Sequence, residues 1–257
     1  MTKLIPVLLY HSVNDRPAAA DRRWTVSRSD FDSHMDAVAA SGRVAMTVTE
    51  IADALRGERP LPERPVGITF DDGFSDTYDA LASLEARGLA ATLYVTTGEL
   101  GRSDRLAPAQ LAEIARAGTA ELGPHAVNHR RLDELEAGEL VAEVVGSKVQ
   151  LEELIGEPVR SFAYPHGAFD RAVREGVIAA GYRSAAAVKN ALSHDRDDPF
   201  ALARWTVTAG TPAVRIAAVL GGQTVPTAWA HDRLRTRAYR VARRSRRRLA
   251  LTVGWDR

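Results

Sequence analysis

Short apolar runs alternate with segments of helical periodicity along most of the chain. The β-branched run at 66–70 is typical of a buried strand. The predicted strands are 6–10, 44–48, 66–70, 91–95, 120–122, 160–163 and 184–188. The predicted helices, several of them followed by a glycine, are 30–40, 49–56, 75–87, 108–116, 133–155 and 170–180. Repeated strand–helix units predict a parallel sheet, and this many of them predict a closed α/β barrel.

Two adjacent carboxylates, Asp71 and Asp72, follow the predicted strand 66–70 and precede Gly73. Neighbouring side chains within a strand point to opposite faces, but a bend at the end of the strand can aim both at one spot. A divalent cation at that spot would turn the repulsion between the carboxylates into attraction. From these residues alone, a cation site and a solvated turn both stay open.

His125 and His129 follow the predicted strand 120–122 at a spacing that places two side chains on one face of a helical turn. Because functional side chains of such barrels gather where the strands end, we expect this pair beside Asp71 and Asp72. Two histidines and one carboxylate leave coordination positions open, as a catalytic ion requires. The second carboxylate would then be free to act as a base. The chain contains no cysteine, so thiolate ligands are excluded.

Three motifs resemble the polysaccharide deacetylases of carbohydrate esterase family four, the NodB-like domain family. They are "TFDDG", the histidine pair, and "FAYPHG" at 162–167. The resemblance implies an irregular (β/α)7 barrel and metal-dependent removal of N-acetyl groups, usually from N-acetylglucosamine units. It implies that Asp71 is the catalytic base and that Asp72, His125 and His129 bind one divalent ion. We expect Zn²⁺, and Ni²⁺, Co²⁺ or Fe²⁺ would also suit such ligands.

The sequence departs from the usual family motifs at several positions. Ala126 stands where Ser or Thr usually follows the first histidine. Ala163 replaces the arginine that normally pairs with the base, and we expect Arg204 to supply that cation. The resemblance places the oxyanion-binding backbone N–H at His166, where a backbone donor survives the change of side chain. We include Tyr164 of the same motif among the substrate-site residues.

The resemblance assigns the general acid to His11. The family's usual C-terminal Leu-x-His motif is not recognisable, whereas "VLLYHSV" at 7–13 resembles the branch that deacetylates poly-N-acetylglucosamine. In that branch a histidine after the first strand is the acid. His231 is the alternative acid, and we expect His34 and His194 at the surface.

Charge divides the chain into two parts. We expect a deacetylase-like barrel at 1–226 and a basic, helical tail at 227–257, which together make a single domain with an extension. From His231 to Arg257, ten arginines oppose two aspartates, a local net charge of +8. Because the whole chain carries +1, the remainder carries −7. Such a tail predicts a polyanionic partner, here an anionic membrane surface, and no nucleic acid; a disordered solubilising extension is the alternative.

The first residues contain an apolar run at 4–10 that is interrupted by Pro6. The run is too short for a membrane span and lacks a small-residue cleavage site, so we expect a cytoplasmic protein, peripheral at the membrane through its tail. The substrate stays open between a polymer, a lipid-linked sugar and a small glycoside. A non-catalytic glycan-binding barrel is the alternative to an enzyme.

Overall fold

The computed structural model describes residues 2–228, and strands alternate with helices throughout that range. The strands are β1 (Leu4–Ile5), β2 (Val7–Tyr10), β3 (Ser12–Val13), β4 (Thr25–Val26), β5 (Val44–Met46), β6 (Pro65–Phe70), β7 (Thr92–Val95), β8 (Glu121–Pro124), β9 (Ser161–Ala163), β10 (Ser184–Val188), β11 (Ser193–His194) and β12 (Leu202–Thr206). The α-helices are α1 (Arg28–Ala40), α2 (Val48–Leu55), α3 (Thr77–Glu85), α4 (Pro108–Ala117), α5 (Ala137–Ile155), α6 (Arg171–Ala179) and α7 (Ala213–Leu220). Single turns of 3-10 helix lie at Thr97–Glu99, Leu132–Glu134 and Pro165–Gly167.

Seven parallel strands form a nearly closed barrel in the order β8, β7, β6, β2, β12, β10 and β9. The two end strands, β8 and β9, pack against each other without joining a common hydrogen-bonded ladder. At this seam a Cβ on Gly123 would lie 2.5 Å from the carbonyl oxygen of Ser161, so only glycine allows the strands to approach so closely. The α/β barrel predicted from the sequence is therefore confirmed, with seven strands in the ring.

One predicted strand has a different place from the one expected. β5 pairs with the first half of β6, from Pro65 to Gly67, while β7 pairs with its second half at Thr69 and Phe70. β5 is thus a flanking strand, and the seventh strand of the ring is β12, which the apolar pattern did not predict. Helix α7 was also missed, and the predicted helix 133–155 begins only at Ala137 because Leu132–Glu134 form a 3-10 turn.

The strand register brings the candidate functional residues to one end of the barrel. Tyr10 of β2 pairs with Phe70 of β6, and the amide of Asp71 donates to the carbonyl of Tyr10 at 3.0 Å. His11 and Asp71 therefore follow neighbouring residues at the carboxyl ends of two adjacent strands. Similarly, the amide of His125 donates to Val95 at the end of β7.

The far end of the described chain is tied to the barrel. The amide of Leu192 donates to the carbonyl of Pro226, and the amide of Ala228 donates to the carbonyl of Leu192. Both hydrogen bonds lie at the predicted boundary between barrel and tail. The basic tail and the alternative acid His231 lie outside the described residues. Within residues 2–228, no helix combines the length and the apolar character needed to cross a bilayer.

Candidate active site

A left-handed bend directs the two adjacent carboxylates toward one place. Asp72 has a φ of 72° and Gly73 has the same value, so the chain turns sharply after β6. As a result Asp71 Oδ2 lies 3.7 Å and Asp72 Oδ1 lies 3.6 Å from the same atom, Nε2 of His125. The bend removes the alternation that would separate the two side chains within a strand.

The two histidines lie on an irregular loop, so the helical turn expected from their spacing is wrong. Ala126 has a φ of 63° and His129 has a φ of 53°, both in the left-handed region. On the other side of the loop, the carbonyls of Ala126 and Val127 accept hydrogen bonds from the amides of Thr97 and Gly98. The rings of His125 and His129 nevertheless lie 4.9 Å apart between centroids.

Asp72, His125 and His129 offer three ligand atoms that all lie within 4.8 Å of one another. Asp72 Oδ1 lies 3.3 Å from His129 Nε2. His125 Nδ1 lies 2.8 Å from the carbonyl oxygen of Ala163, so this nitrogen carries the proton and Nε2 keeps its lone pair. Asp72 Oδ1 is buried and has no hydrogen-bond partner among the described residues. A buried acceptor beside an imidazole nitrogen that keeps its lone pair fits a divalent ion.

Burial sets the protonation of the ligands in the absence of an ion. Burial lowers the pKa of His125 to about 3, so the imidazole is neutral at physiological pH. Burial raises the pKa of Asp72 to about 6, and the neighbouring charge of Asp71 acts in the same direction. In the absence of a cation, Asp72 therefore keeps its proton up to a higher pH than an ordinary aspartate does.

Asp71 is paired with the buried guanidinium of Arg204. Nη1 of Arg204 donates to Oδ1 at 2.6 Å, and Nη2 donates to Oδ2 at 2.8 Å. Nε of the same arginine donates to the carbonyl of Ala187 at 3.3 Å. Burial alone would raise the pKa of Asp71, but Arg204, helped by His125, lowers it to about 2. The carboxylate therefore stays ionised.

His11 lines the same cleft and packs against Trp24. The ring centroids of His11 and Trp24 are 5.4 Å apart. Nδ1 of His11 is buried and has no hydrogen-bond partner within residues 2–228. An imidazole that lines a cleft and keeps one ring nitrogen unpartnered still has a hydrogen-bonding group to satisfy.

The cleft has a volume of about 360 Å³ and is lined mainly by residues at or after the carboxyl ends of six strands of the ring. Its lining residues are Leu9, His11, Trp24, Asp71, Asp72, His125, His129, His166, Val188 and Thr206. His166 is exposed and has a φ of 58°, and its ring is tilted by 59° against the ring of His129, with 4.4 Å between the ring centroids.

Tyr164 does not face this cleft, contrary to expectation. Its side chain is fully buried, its hydroxyl donates to the carbonyl of Phe200 at 2.9 Å, and its ring stacks on Phe169. Its backbone amide donates to Ala186. Because both its polar groups are engaged in the core, Tyr164 is a packing residue.

His34 is also placed differently from the expectation of a surface residue. It is fully buried, with Nδ1 3.2 Å from the hydroxyl of Tyr10 and Nε2 2.8 Å from the carbonyl of Thr211. These two partners satisfy both ring nitrogens, which explains how a histidine lies on the inner face of α1. His194 is half-buried, with Nε2 3.2 Å from the carbonyl of Ala228.

Two carboxylates that support the site, Asp76 and Glu143, were not predicted from the sequence. Asp76 accepts hydrogen bonds from the hydroxyl of Ser12 at 2.7 Å and from the amide of Val13 at 3.0 Å, which joins the His11 segment to the loop after β6. Glu143 accepts hydrogen bonds from the amides of the histidine loop. A sign of Glu143 in the sequence is that an acidic residue lies beside Val144 on the face of α5 that is buried.

Three comparisons bear on the identity of the chain. YxkH of Bacillus subtilis, a protein named provisionally as a polysaccharide deacetylase, is 25% identical over 207 residues, which are 80% of this chain and 72% of YxkH. The poly-β-1,6-N-acetyl-D-glucosamine N-deacetylase of Escherichia coli is 36% identical over 70 residues, which are 27% of this chain and 10% of that protein. The structure of IcaB from Ammonifex degensii is 25% identical, with a TM-score of 0.73 over 85% of this chain and 97% of IcaB.

The family model of the polysaccharide deacetylases matches residues 58–185. The matched span contains the carboxylate pair, the histidine pair and His166, whereas His11 and Arg204 lie outside it. With the (β/α)7 barrel described above, this match shows that the chain belongs to the polysaccharide deacetylase family.

Proposed function

We propose that this protein is a metal-dependent hydrolase that removes N-acetyl groups from amino-sugar units of a glycan or glycoconjugate. The observation that carries the proposal is the cluster of Asp72, His125 and His129 next to Asp71 and its buried partner Arg204. The relative from Escherichia coli is named for the deacetylation of poly-N-acetylglucosamine, which supports an N-acetylated amino sugar as substrate.

Asp72, His125 and His129 would hold the ion, most simply Zn²⁺. When bound, such an ion polarises an acetyl carbonyl and lowers the pKa of water. The hydrogen bond from Nδ1 of His125 to Ala163 fixes the tautomer that presents Nε2 to the ligand. Asp72 contributes a negative charge that is poorly solvated without an ion, which favours cation binding.

Asp71 takes the proton of the attacking water. Arg204 orients the carboxylate through two hydrogen bonds and keeps it ionised, so it can accept a proton over the whole physiological pH range. A carboxylate whose pKa is about 2 is a weak base, and it therefore depends on a water that has become unusually acidic.

His11 donates a proton to the departing amine. His11 and Asp71 line the same cleft. Nδ1 of His11 is buried and has no hydrogen-bond partner among the described residues. A neutral amine is a far better leaving group than an amide anion, so proton donation is needed for the C–N bond to break. The assignment of the oxyanion donor to His166 stays a prediction, supported by the position of this residue beside His129.

A second candidate is the same chemistry on a lipid-linked sugar or small glycoside at the cytoplasmic face of a membrane. The ten arginines of residues 231–257 favour this candidate, because they would draw the enzyme to anionic lipids. The cytoplasmic location itself is part of this proposal.

An acetate-release assay tests the proposal on three substrates: a poly-N-acetylglucosamine oligomer, an N-acetylglucosaminyl lipid and a soluble N-acetylglucosaminide. We expect Zn²⁺-loaded protein to release acetate from at least one, and Asp71→Asn to abolish the release. Asp36→Asn, which changes an exposed aspartate of α1, is the matched control and should behave as the unsubstituted protein. Metal-loaded protein that releases acetate from none of the three would argue for a non-catalytic glycan-binding barrel.

A further inference from the structure

The loop that carries the two histidines has an unusual backbone and needs external support. Residues 126 and 129 both adopt the left-handed region, which costs free energy for residues other than glycine. The amides of Val127 and Asn128 lie between them and belong to no helix or strand. The position of His129 is therefore well defined only if other parts of the protein hold this segment in place.

Two sets of hydrogen bonds hold opposite sides of the loop. The carbonyls of Ala126 and Val127 are bound by the backbone of Thr97 and Gly98 after β7. The amides of Val127 and Asn128 both donate to Oε2 of Glu143, at 2.9 and 2.8 Å.

Glu143 makes a third hydrogen bond to the same loop. Oε1 accepts from Nδ2 of Asn128 at 2.9 Å, so both carboxylate oxygens are engaged. The residue is only 2% exposed and projects from the middle of α5. Within residues 2–228 it forms no ion pair, and all three of its donors come from the histidine loop.

A buried carboxylate without a cation is costly unless hydrogen bonds stabilise its charge. A core position on a helix would be cheaper to fill with an apolar side chain, so this arrangement is explained by what the carboxylate does for the loop. Ala126 cannot brace the loop with a side chain, because it lacks the hydroxyl group that Ser or Thr would bring.

We propose that Glu143 is a positioning residue of the metal centre, which fixes the main chain before His129 and thereby the approach of its imidazole to the ion. The proposal rests on the proposed function in one respect, namely that His129 is a metal ligand. Glu143 touches neither ion nor substrate, and acts only through the three hydrogen bonds to the loop.

The test compares Glu143→Gln with Glu153→Gln, a matched change at an exposed position of the same helix. Glutamine keeps the size of the side chain, but its amide group cannot accept hydrogen bonds from all three donors. The measurements are Zn²⁺ affinity by competition with a chromophoric chelator, the visible absorption of the Co²⁺-loaded protein, and hydrogen exchange of the peptide that contains Val127 and Asn128.

We expect Glu143→Gln to weaken Zn²⁺ affinity by about 10- to 100-fold, the usual effect of removing a support of a metal ligand. The Co²⁺ absorption should change in shape, and the loop amides should exchange faster. Glu153→Gln should leave all three measurements unchanged. Asn128→Ala, which removes one of the three hydrogen bonds, should give a smaller loss of affinity and serves if Glu143→Gln fails to fold.

Unchanged affinity and Co²⁺ absorption in folded Glu143→Gln, or in Asn128→Ala when the first variant does not fold, would overturn the inference and leave the proposed function standing. Absence of Zn²⁺ binding by the unsubstituted protein would overturn both. The two failures are therefore distinguishable.

Discussion

Arg204 on β12 and Asp71 after β6 form a bidentate pair that is almost completely hidden from solvent. The family motif usually supplies this arginine from the position of Ala163 on β9. In this chain the guanidinium comes instead from β12, which is separated from β9 by β10. The carbonyl of Ala163 is used differently, as the acceptor for His125.

Replacing Arg204 by Met should leave the charge of Asp71 buried and unpaired. We expect the free energy of unfolding to fall by about 3–5 kcal/mol at pH 7, as for other broken buried pairs. Urea unfolding at pH 7 measures this loss, and the double variant with Asp71→Asn should recover part of it. A decrease no larger than that of an exposed arginine such as Arg171→Met would contradict the importance of the pair.

The same pair predicts a pH dependence of stability. Because the folded-state pKa of Asp71 is about 2 and the ordinary pKa of an aspartate is 3.8, the unfolded state binds more protons between these values. The stabilisation from the pair is therefore fully present above about pH 4 and is lost as the pH falls toward 2. The variant Arg204→Met should lack this contribution, so the stability difference between the two proteins should narrow at acidic pH.

Removal of one metal ligand should abolish activity without unfolding the barrel. His125→Ala should lose the ion and nearly all acetate release, because only two protein ligands remain. Metal content after dialysis, circular dichroism and acetate release measure the three quantities. His194→Ala, which lies outside the cleft, is the control, and full metal occupancy in His125→Ala would refute the ligand assignment.

Acid pH should weaken metal binding through Asp72. Its pKa in the ion-free protein is about 6, so below that value a proton occupies the carboxylate and must leave when the ion binds. We expect Zn²⁺ affinity to be nearly flat above pH 7 and to fall below pH 6 by up to about tenfold per pH unit for one displaced proton. Competition titrations between pH 5 and 8 measure this. A fall in affinity that already reaches about tenfold per pH unit between pH 8 and pH 7 would contradict the protonation assigned to Asp72.

Alanine substitutions of His11 and His231 distinguish the two candidates for the general acid by their effect on turnover. His11→Ala should lower turnover by about 10²- to 10⁴-fold while the ion stays bound, because a positioned acid contributes that much. His231→Ala should leave turnover unchanged. If the loss appears in His231→Ala and not in His11→Ala, the acid has been assigned to the wrong histidine.

The sequence was most informative where chemistry lies directly after an apolar strand. Asp71 and Asp72 follow β6, and His125 follows β8, so a strand pattern and a polar residue at its end were enough to bring them together. The conformation of the histidine loop could not be predicted from the sequence. Two histidines four residues apart are compatible with a helical turn and also with a loop that contains two left-handed residues.

Residues whose partners are distant in sequence were harder to place. β12 was missed because a charged arginine interrupts its apolar pattern, and Arg204 is tolerated in the core only because Asp71 lies opposite. His34 was expected at the surface because its partners, Tyr10 and the carbonyl of Thr211, are joined to it only by the fold. For the same reason Glu143 became visible only when α5 was seen to lie behind the histidine loop.

The basic tail predicts reversible binding to anionic membranes. Each arginine near an anionic leaflet contributes about 1 kcal/mol, so several together suffice to hold a protein there. Truncation after Ala228 keeps the hydrogen bond of that residue to Leu192 and removes all ten arginines of the tail. It should abolish cosedimentation with vesicles that contain phosphatidylserine and leave acetate release from a soluble glycoside intact.

Charge, and not merely length, should be responsible for this binding. A full-length variant with Gln in place of Arg243, Arg244, Arg246, Arg247 and Arg248 keeps the length of the tail and should bind such vesicles much more weakly. Binding of the unsubstituted protein should fade as salt is raised, because the Debye length shrinks from about 10 Å at 0.1 M to about 3 Å at 1 M. Neutral phosphatidylcholine vesicles are the control. If the full-length protein ignores anionic vesicles even at low salt, the membrane role is wrong, and the arginines then serve solubility or another polyanion.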